Sequence, residues 1–275
     1  MIEIPEALVI SDQINKHICG KQIVNVVAEH SSHKFAWYYG DPQNYNALLK
    51  GKTIDKANAY GGMLEIKACD SVILFAEGVR LRYHDKGEKF PKKHQLLIEF
   101  DDSSGISATI QMYGGLWCFE EGKFDNDYYE IAKNKPSPLS NEFDKEYFDT
   151  LISSSEVQKL SAKAFLATQQ RIPGLGNGVL QDILYNSKIH PKRKINTLNS
   201  NEKENMFKSI KKTLQEMVLK GGRDTERDLF DCLGNYKTKV SKHTLNHNCP
   251  ICGSIIKKTS YMGGSVYYCE GCQIN

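Results

Sequence analysis

The chain has 275 residues, enough for two domains and a sizeable core, and its composition is ordinary, with 40% hydrophobic and 25% charged residues. No apolar run approaches the length of a membrane span, and the opening MIEIPEALVI lacks the basic start and small-residue cleavage site of a secretory signal. Spacing pairs only four of the eight cysteines. We therefore expect no membrane association and a reducing, cytoplasmic compartment.

Charge is distributed unevenly behind a formal net charge of +3. Residues 151–275 contain 19 Lys/Arg and 10 Asp/Glu, a balance of +9, and residues 1–150 contain 17 and 23, a balance of −6. A basic half beside an acidic half favours a polyanionic partner for the basic half. A solvated surface without a partner explains the same charges equally well.

The first segment, EIPEALVISDQINKHICG, predicts a helix. Pro5 suits its first turn, and the acids Glu3 and Glu6 favour the positive end of a helix dipole. Gly20 suits the end of the helix. Apolar residues recur at helical spacing and predict one buried face, formed by Ala7, Ile10, Ile14 and Ile18.

From Lys21 to about Ile131 the pattern changes to short β-branched and aromatic runs separated by Gly, Asp, Asn and Lys clusters. The runs are KQIVNVVAE, MLEIKAC, SVILFAEGVRLRY, HQLLIEF and ISATIQMYGGLWCFE. Together with the first helix they predict a domain over residues 1–132 that is an antiparallel β-sandwich or barrel.

The remainder of the chain reads as a linker and a helical domain. KNKPSPLSNEFDKEYF predicts a linker, assigned to residues 133–150, because prolines stiffen it and serines punctuate it. Three amphipathic segments then predict a helical domain over residues 151–240: SSEVQKLSAKAFLATQQ, NGVLQDILYNSKI and NSNEKENMFKSIKKTLQEMVLKGG. A cysteine-rich segment, 241–275, closes the chain, so the predicted fold class is α+β with two domains.

The last segment reads CPICGSIIKKTSYMGGSVYYCEGC, with two CxxC pairs separated by 16 residues. Four thiolates at this spacing predict a closed, structural Zn²⁺ site formed by Cys249, Cys252, Cys269 and Cys272. Two chance pairs or a redox site are the alternatives. The intervening hairpin, with Lys257 and Lys258 in its predicted tip, suits contact with a partner, but the site alone does not say which.

A glycine-rich turn lies between two predicted helices, at Pro173-Gly174-Leu175-Gly176-Asn177. Gly174 and Gly176 allow a tight turn and a close approach of backbone to a partner, and Asn177 would cap the next helix. A glycine turn that leads into a helix N-terminus favours phosphate binding. A plain helical hairpin with a tight loop is the alternative.

These motifs resemble those of the formamidopyrimidine-DNA glycosylase/endonuclease VIII family. PGLGNGVLQDILYNSKIHP resembles its helix–two-turn–helix, MIEIPEALVI its opening Met-Pro-Glu-Leu-Pro-Glu, KPSPLSNEFDKEYF its linker, and the segment ending CEGCQ its zinc finger. The resemblance implies a two-domain clamp. A β-sandwich and a helical, zinc-containing domain would grip duplex DNA, and a damaged base would be flipped out and removed.

The resemblance also implies roles for single residues. Glu3 stands where the family has a general acid that assists opening of the deoxyribose ring, and Glu6 where a second acid orients the N-terminus. Asn177 and Lys163 match residues that contact DNA phosphate. Decoration of the helix dipole is the alternative for the two acids, and a solvated lysine is the alternative for Lys163.

Three departures affect the catalytic apparatus of the family. The family uses the amine of an N-terminal proline as nucleophile, whereas this sequence has Ile2, which places the free amine on Met1. The family's lysine in an N-domain turn has no counterpart in NAYGGMLEI, where Tyr60 falls near the place. Gly264 aligns with an arginine of the zinc hairpin. Void-filling residues are expected near VRLRYHD and QMYGGLW but are not identified.

The sequence thus predicts a DNA repair protein that binds damaged or abasic double-stranded DNA, as a monomer and on the nucleoid if the source is a prokaryote. The preferred hypothesis is a base-excision DNA glycosylase with a doubtful lyase step. A catalytically lost relative that binds abasic, distorted or branched DNA is the alternative. A zinc-ribbon protein that acts on RNA or protein is a third class, disfavoured by the glycine turn.

Overall fold

The computed structural model describes residues 2–273. The first helix, α1 (Ile4–His17), begins with Pro5 in its first turn and buries Ile10 and Ile14. Helix α1 contributes side chains to both main hydrophobic cores: Ile4 packs into the helical core, and Ile10 and Ile14 pack into the core of the β-sandwich. The N-terminus therefore lies at the junction of the two cores.

Residues 23–120 form two packed sheets. Their strands are β1 (Ile23–Ala28), β2 (Ala36–Trp37), β3 (Ile54–Tyr60), β4 (Met63–Ala68), β5 (Ser71–Phe75), β6 (Val79–His84), β7 (Leu96–Phe100), β8 (Gly105–Ile110) and β9 (Gly114–Glu120), with a short helix α2 (Tyr45–Leu49). One sheet has the order β1-β7-β8-β6 and the other β2-β9-β5-β4-β3. The pairs are antiparallel except β2 with β9, which is parallel.

Two details of the sheets differ from the sequence prediction. SVILFAEGVRLRY was predicted as one run, but it divides into β5 and β6, which belong to different sheets. Gly78, with φ of +84°, forms the break between them. Strand β3 was missed because Asp, Lys and Asn interrupt its sequence, IDKANAY, so that it contains no β-branched or aromatic run, and its pairing with β4 decides its conformation.

The chain after the two sheets contains α3 (Asp127–Asn134), which packs on the sandwich, α4 (Lys145–Ser153), α5 (Ala162–Ala167), α6 (Asn177–Asn186) and α7 (Ser200–Leu219). Helix α4 begins inside the predicted linker, where the Asp144 side chain accepts a hydrogen bond from the backbone amide of Tyr147. The segment SSEVQKLSAKAFLATQQ forms only the six-residue α5, because Thr168 is extended and Gln169 and Gln170 have positive φ. Within residues 2–273, no helix is long and apolar enough to cross a membrane.

The cysteine-rich segment folds as a hairpin of β10 (Ile256–Tyr261) and β11 (Gly264–Cys269). Its turn consists of Met262 and Gly263, both with positive φ, as a two-residue hairpin requires. Lys257 and Lys258 lie on β10 opposite Tyr268 and Tyr267, at the cysteine end. The sequence prediction that these lysines lie in the tip is therefore wrong, because pairing continues to the last residue before the turn.

Candidate functional site

Glu3 joins the start of α1 to the start of α6. Its carboxylate accepts a hydrogen bond from the backbone amide of Gly178 at Oε1 and one from Val179 at Oε2, both at 2.8 Å. The Glu3 side chain is 4% exposed. Two free amides of the α6 N-terminus, those of Gly178 and Val179, are thus satisfied by an acid of the chain itself, while phosphate binding at the preceding glycine turn stays a prediction.

Arg223 completes this buried cluster. Its guanidinium donates to the Glu6 carboxylate from Nε at 2.9 Å and from Nη2 at 2.7 Å, and Nη1 lies 3.7 Å from Glu3 Oε1. Arg223 is 2% exposed. The Glu3 backbone amide also donates to Glu6 Oε2 at 3.2 Å. Sequence reasoning missed Arg223, since an arginine after Gly221-Gly222 carries no local signal for a partner at position 6.

Burial controls the electrostatics of the cluster. Desolvation raises the pKa of the Glu3 carboxyl above its ordinary value, although the charge of Arg223 opposes the shift. Burial alone would lower the pKa of Arg223, but the Glu3 and Glu6 carboxylates raise it. Arg223 therefore stays charged, while Glu3 takes up a proton more readily than an exposed acid.

Three glycines, Gly174, Gly176 and Gly178, allow the start of α6 to lie close to the β3–β4 turn, Glu3 and Arg223. Gly174 has φ of +74°, and a Cβ there would lie 1.9 Å from the Gly62 backbone nitrogen. A Cβ on Gly176 would lie 2.7 Å from Glu3 Cδ, and one on Gly178 1.7 Å from Arg223 Nη1. A close approach of this turn to a partner was predicted from its glycines. In the structure the turn approaches the chain's own β3–β4 turn and the residues at the start of α1. Gly176 is the N-cap of α6, which corrects the prediction that Asn177 caps it.

Lys163 and Asn177 meet at the tip of the cysteine hairpin formed by β10 and β11. Lys163 Nζ donates to the Tyr261 carbonyl at 2.7 Å, and Asn177 Nδ2 donates to the Ser265 carbonyl at 2.9 Å. A Cβ on Gly264 would lie 3.4 Å from Lys163 Nζ. Lys163 is 4% exposed, which rules out a solvated lysine, and burial lowers its pKa.

One acceptor in this cluster is unpaired. Asn177 Oδ1 is buried and has no hydrogen-bond partner among residues 2–273. A buried acceptor without a partner is costly, so this point suits a donor from a bound molecule. Lys257, in contrast, pairs with Glu270 at 2.5 Å and lies at the far end of the hairpin, as does Lys258.

The four cysteines are brought together as predicted from their spacing. Their sulfur atoms lie within 4.8 Å of one another, with Cys249 and Cys272 separated by 3.7 Å and Cys252 and Cys269 by 3.4 Å. Tetrahedral Zn²⁺ with bonds of about 2.3 Å requires sulfur separations of about 3.8 Å, so the thiols fit this ion. The Tyr185 hydroxyl lies 3.1 Å from Cys249 Sγ and links the site to α6.

A cavity of about 360 Å³ lies beside the buried cluster. It is lined by α1, by strands and loops of the sandwich, and by the segment after α7, and the lining includes Ile2, Glu6, Arg80, Met112, Arg227 and Lys242. Ile2 is 4% exposed, while Met112, in the β8–β9 turn, is 63% exposed. Met1, the predicted site of the free amine, lies outside the described residues.

Comparisons with known proteins agree with this architecture. Residues 135–228 match the family described as formamidopyrimidine-DNA glycosylase H2TH domain. A formamidopyrimidine-DNA glycosylase of Bacillus anthracis is 26% identical over 281 residues, covering 99% of each chain. One of Prochlorococcus marinus (strain MIT 9312) is 32% identical over 190 residues, covering 66% of this chain and 64% of its own.

Solved structures show the same fold. The Lactococcus lactis Fpg in complex with DNA containing an abasic site superposes with a TM-score of 0.83 and 23% identity, covering 99% of this chain and 100% of the other. The likeness spans the sandwich, the helical region and the cysteine hairpin alike. The matched H2TH region and the relatives aligned over the full length make this chain similar to formamidopyrimidine-DNA glycosylases, and the solved structures show the same fold.

Proposed function

We propose that this protein is a DNA repair glycosylase that binds damaged or abasic duplex DNA and hydrolyses the N-glycosidic bond of a damaged nucleotide. The observation that carries the proposal is the placement of Glu3. This acid is fixed between the α6 N-terminus and Arg223, its pKa is raised by burial, and its neighbour in sequence, Ile2, lines the cavity. A carboxylic acid whose pKa is raised toward neutral pH suits proton transfer under physiological conditions.

In the proposed reaction a flipped nucleotide enters the cavity. The bond between the sugar C1′ and the base nitrogen breaks, water supplies the oxygen that bonds to C1′, and the base leaves with the pair of electrons and a proton. Glu3 is the proposed general acid. It assists opening of the deoxyribose ring as the base departs. Glu6 and Arg223 are positioning residues, because they hold the start of α1 against the segment that follows α7.

In this proposal the rate of the lyase reaction is low. The nitrogen of Ile2 is part of a peptide bond with Met1, so the nucleophile of this proposal is the α-amine of Met1, one residue before the position of the proline that the resemblance implies. The buried Ile2 side chain fixes the path of the chain here. An amine displaced by one residue has a different geometry toward C1′, and a misplacement of this kind costs rate steeply.

DNA binding is assigned to both halves of the chain. We divide it into a β-sandwich domain over 1–132, a linker over 133–150, a helical domain over 151–240 and a zinc finger over 241–275. Lys163, Asn177 and the loop with Gly174 and Gly176 are the proposed phosphate contacts nearest the cavity. Lys257 and Lys258 add charge at the other end of the hairpin.

The zinc finger has a structural role in this proposal. The four cysteine thiolates hold Zn²⁺, and the ion supplies a rigid tetrahedral crosslink when bound. Tyr267 donates its amide to Gln181 Oε1 at 2.6 Å, so the hairpin is docked on α6 and its tip is held over Lys163. On this function we place the protein in the cytoplasm with the chromosomal DNA.

The alternative is a relative that binds abasic or distorted DNA and releases no base. Three observations favour it: Ile2 in place of proline, the lack of a lysine in the Gly61-Gly62 turn, and Gly264 at the hairpin tip. The buried acids Glu3 and Glu6 favour the enzyme. Burial of a charged cluster costs free energy, and capping of a helix does not by itself require buried charges.

The deciding experiment compares base release with DNA binding. The wild type should release a damaged base from a lesion-bearing duplex, Glu3→Gln should lose at least about 100-fold in rate, and both should bind the duplex similarly. Glu130→Gln, at an exposed acid of α3, is the control and should retain the rate. Binding without release by the wild type across a panel of oxidised, alkylated and abasic duplexes would instead establish the alternative.

Borohydride trapping with an abasic duplex addresses the lyase step separately. An adduct on the Met1 α-amine would show that an amine nucleophile survives without proline. An adduct on a lysine would show that the nucleophile has moved. Tight binding without an adduct would leave only hydrolytic release or pure binding.

A further inference from the structure

Three aromatic side chains project outward from one short segment. Phe35, Trp37 and Tyr39 are 47%, 48% and 40% exposed, whereas the alternate residues Ala36 and Tyr38 pack against the sandwich core. Burial therefore alternates along the segment, of which Ala36 and Trp37 form a strand. Tyr39 is partly covered, because its ring lies 5.0 Å from that of Phe124 and its hydroxyl donates to the Lys123 carbonyl. Large aromatic residues that repeat on an exposed face are unusual for a monomeric surface and indicate a contact.

The segment lies at the edge of a sheet and reaches the candidate site. Strand β2 pairs with β9 on one side only, with Trp37 opposite Gly115. The Trp37 ring lies 5.7 Å from that of Tyr113, centroid to centroid. Tyr113 follows Met112, which lines the cavity beside Ile2. The aromatic row is therefore continuous with the proposed DNA-binding cleft.

Charge favours nucleobases as the partner of this row. No acidic residue lies between Glu29 and Asp41 in the sequence, and Lys34 Nζ lies 5.4 Å from the Phe35 ring centroid. Aromatic rings beside a cation are the usual contacts of unpaired bases in single strands.

We propose that Phe35, Trp37 and Tyr39 form a stacking platform for unpaired bases of single-stranded DNA. The proposal rests on the proposed function, since the platform extends the same DNA-binding cleft. It adds that the protein binds lesions next to unpaired DNA, such as gaps or opened duplex, more tightly than lesions in fully paired DNA. The protein would then act where a strand is already open.

The chain offers a direct spectroscopic test, because Trp37 and Trp117 are its two tryptophans. Trp117→Phe leaves Trp37 as the reporter. Titration with oligo(dT) should quench its fluorescence, because a stacked base quenches an exposed indole. In the otherwise wild-type chain, Trp37→Ala should weaken binding of oligo(dT) and of a gapped abasic duplex about tenfold, as expected for one lost base–aromatic stack.

Controls separate this inference from the proposed function. Leu219→Ala, at an 80% exposed apolar residue of α7, should leave both affinities unchanged. Phe35→Ala/Tyr39→Ala should lower the affinity for gapped DNA while binding of the fully paired abasic duplex changes less than about twofold. The fully paired abasic duplex tests the proposed function itself, and its failure to bind the wild type would overturn that function.

Three results would overturn the platform. Oligo(dT) that neither quenches Trp37 nor binds, while the abasic duplex still binds, would remove it alone. Equal affinity of the wild type and Trp37→Ala for gapped DNA would do the same. A wild-type dimer in sedimentation that Trp37→Ala converts to a monomer would show that a second copy of the chain covers the row instead.

Discussion

The Arg223 guanidinium lies 2.7 Å from the Glu6 carboxylate although the two residues are 217 positions apart, and both are almost fully buried. This pair, with Glu3, fixes the start of the chain against the segment after the last helix. A buried charge that loses its partner is strongly destabilising. The cluster therefore contributes both to the placement of the acid and to the stability of the whole chain.

Replacement of the arginine should reveal that contribution. Arg223→Met leaves two buried carboxylates without a cation and should lower the free energy of unfolding by about 3–5 kcal/mol. Chemical denaturation measures it. Arg227→Met, at an exposed arginine of the same loop, should cost less than about 1 kcal/mol. Equal effects of the two changes would show that the buried cluster is not coupled to folding.

The pH dependence of stability should report on Asp182. This buried carboxyl accepts backbone amides of Lys239 and Val240, and burial raises its pKa to about 6. Because the unfolded value is lower, the folded state binds the proton more tightly between about pH 4 and 6, and stability falls as pH rises through this window.

Asp182→Asn removes this titration. The stability of the wild type relative to Asp182→Asn should therefore be greater at pH 4 than at pH 7, by about 2 kcal/mol for a pKa that rises from about 4 in the unfolded chain to about 6 in the folded one. Thermal unfolding of both proteins across this range measures the difference. A difference that stays constant with pH would contradict a raised pKa for this group.

Removal of the metal by a chelator should unfold the hairpin and leave the β-sandwich folded. A strong chelator should abolish DNA binding and expose residues 249–272 to proteolysis, because four thiols without an ion do not hold the turn. The two sheets should keep their circular dichroism. Cys249→Ser should reproduce the loss without chelator, and Cys69→Ser, at an exposed cysteine far from the cluster, should not. Duplex binding that survives zinc removal would show that the hairpin does not contribute.

Lysine position should matter more than lysine number. Lys163→Met should weaken duplex binding by at least about tenfold and reduce the steepness of its salt dependence, because one phosphate contact is lost. Lys257→Met should have a smaller effect, since that lysine is paired with Glu270 away from the tip. Affinity that stays flat from low to moderate salt would contradict a phosphate-gripping clamp.

Elements whose sequence carries its own period were predictable. The first helix, the apolar strands, α6, α7 and the four cysteines followed from spacing and composition. Strand β3 was not predictable, because IDKANAY contains no β-branched or aromatic run and gains its conformation from β4. The length of α5 was not predictable, because Gln169 and Gln170 adopt positive φ values that the local sequence does not indicate.

At the site, residue types were predictable and their partners were not. Glu3, Asn177 and Lys163 were found by motif, but the hydrogen bonds that the amides of Gly178 and Val179 donate to the Glu3 carboxylate were not predicted. Arg223 was missed altogether. Contacts between residues 175 or more positions apart depend on how two domains meet, and the sequence pattern of either domain does not contain that information.

The buried cluster also sets an order of events during synthesis. The acids at positions 3 and 6 leave the ribosome first, but their cation is more than 200 residues behind them. At about 5–20 residues per second, that gap lasts on the order of 10–40 seconds. A nascent β-sandwich must wait with its two acids uncompensated, so the proposed catalytic acid is positioned only when nearly the whole polypeptide has been made.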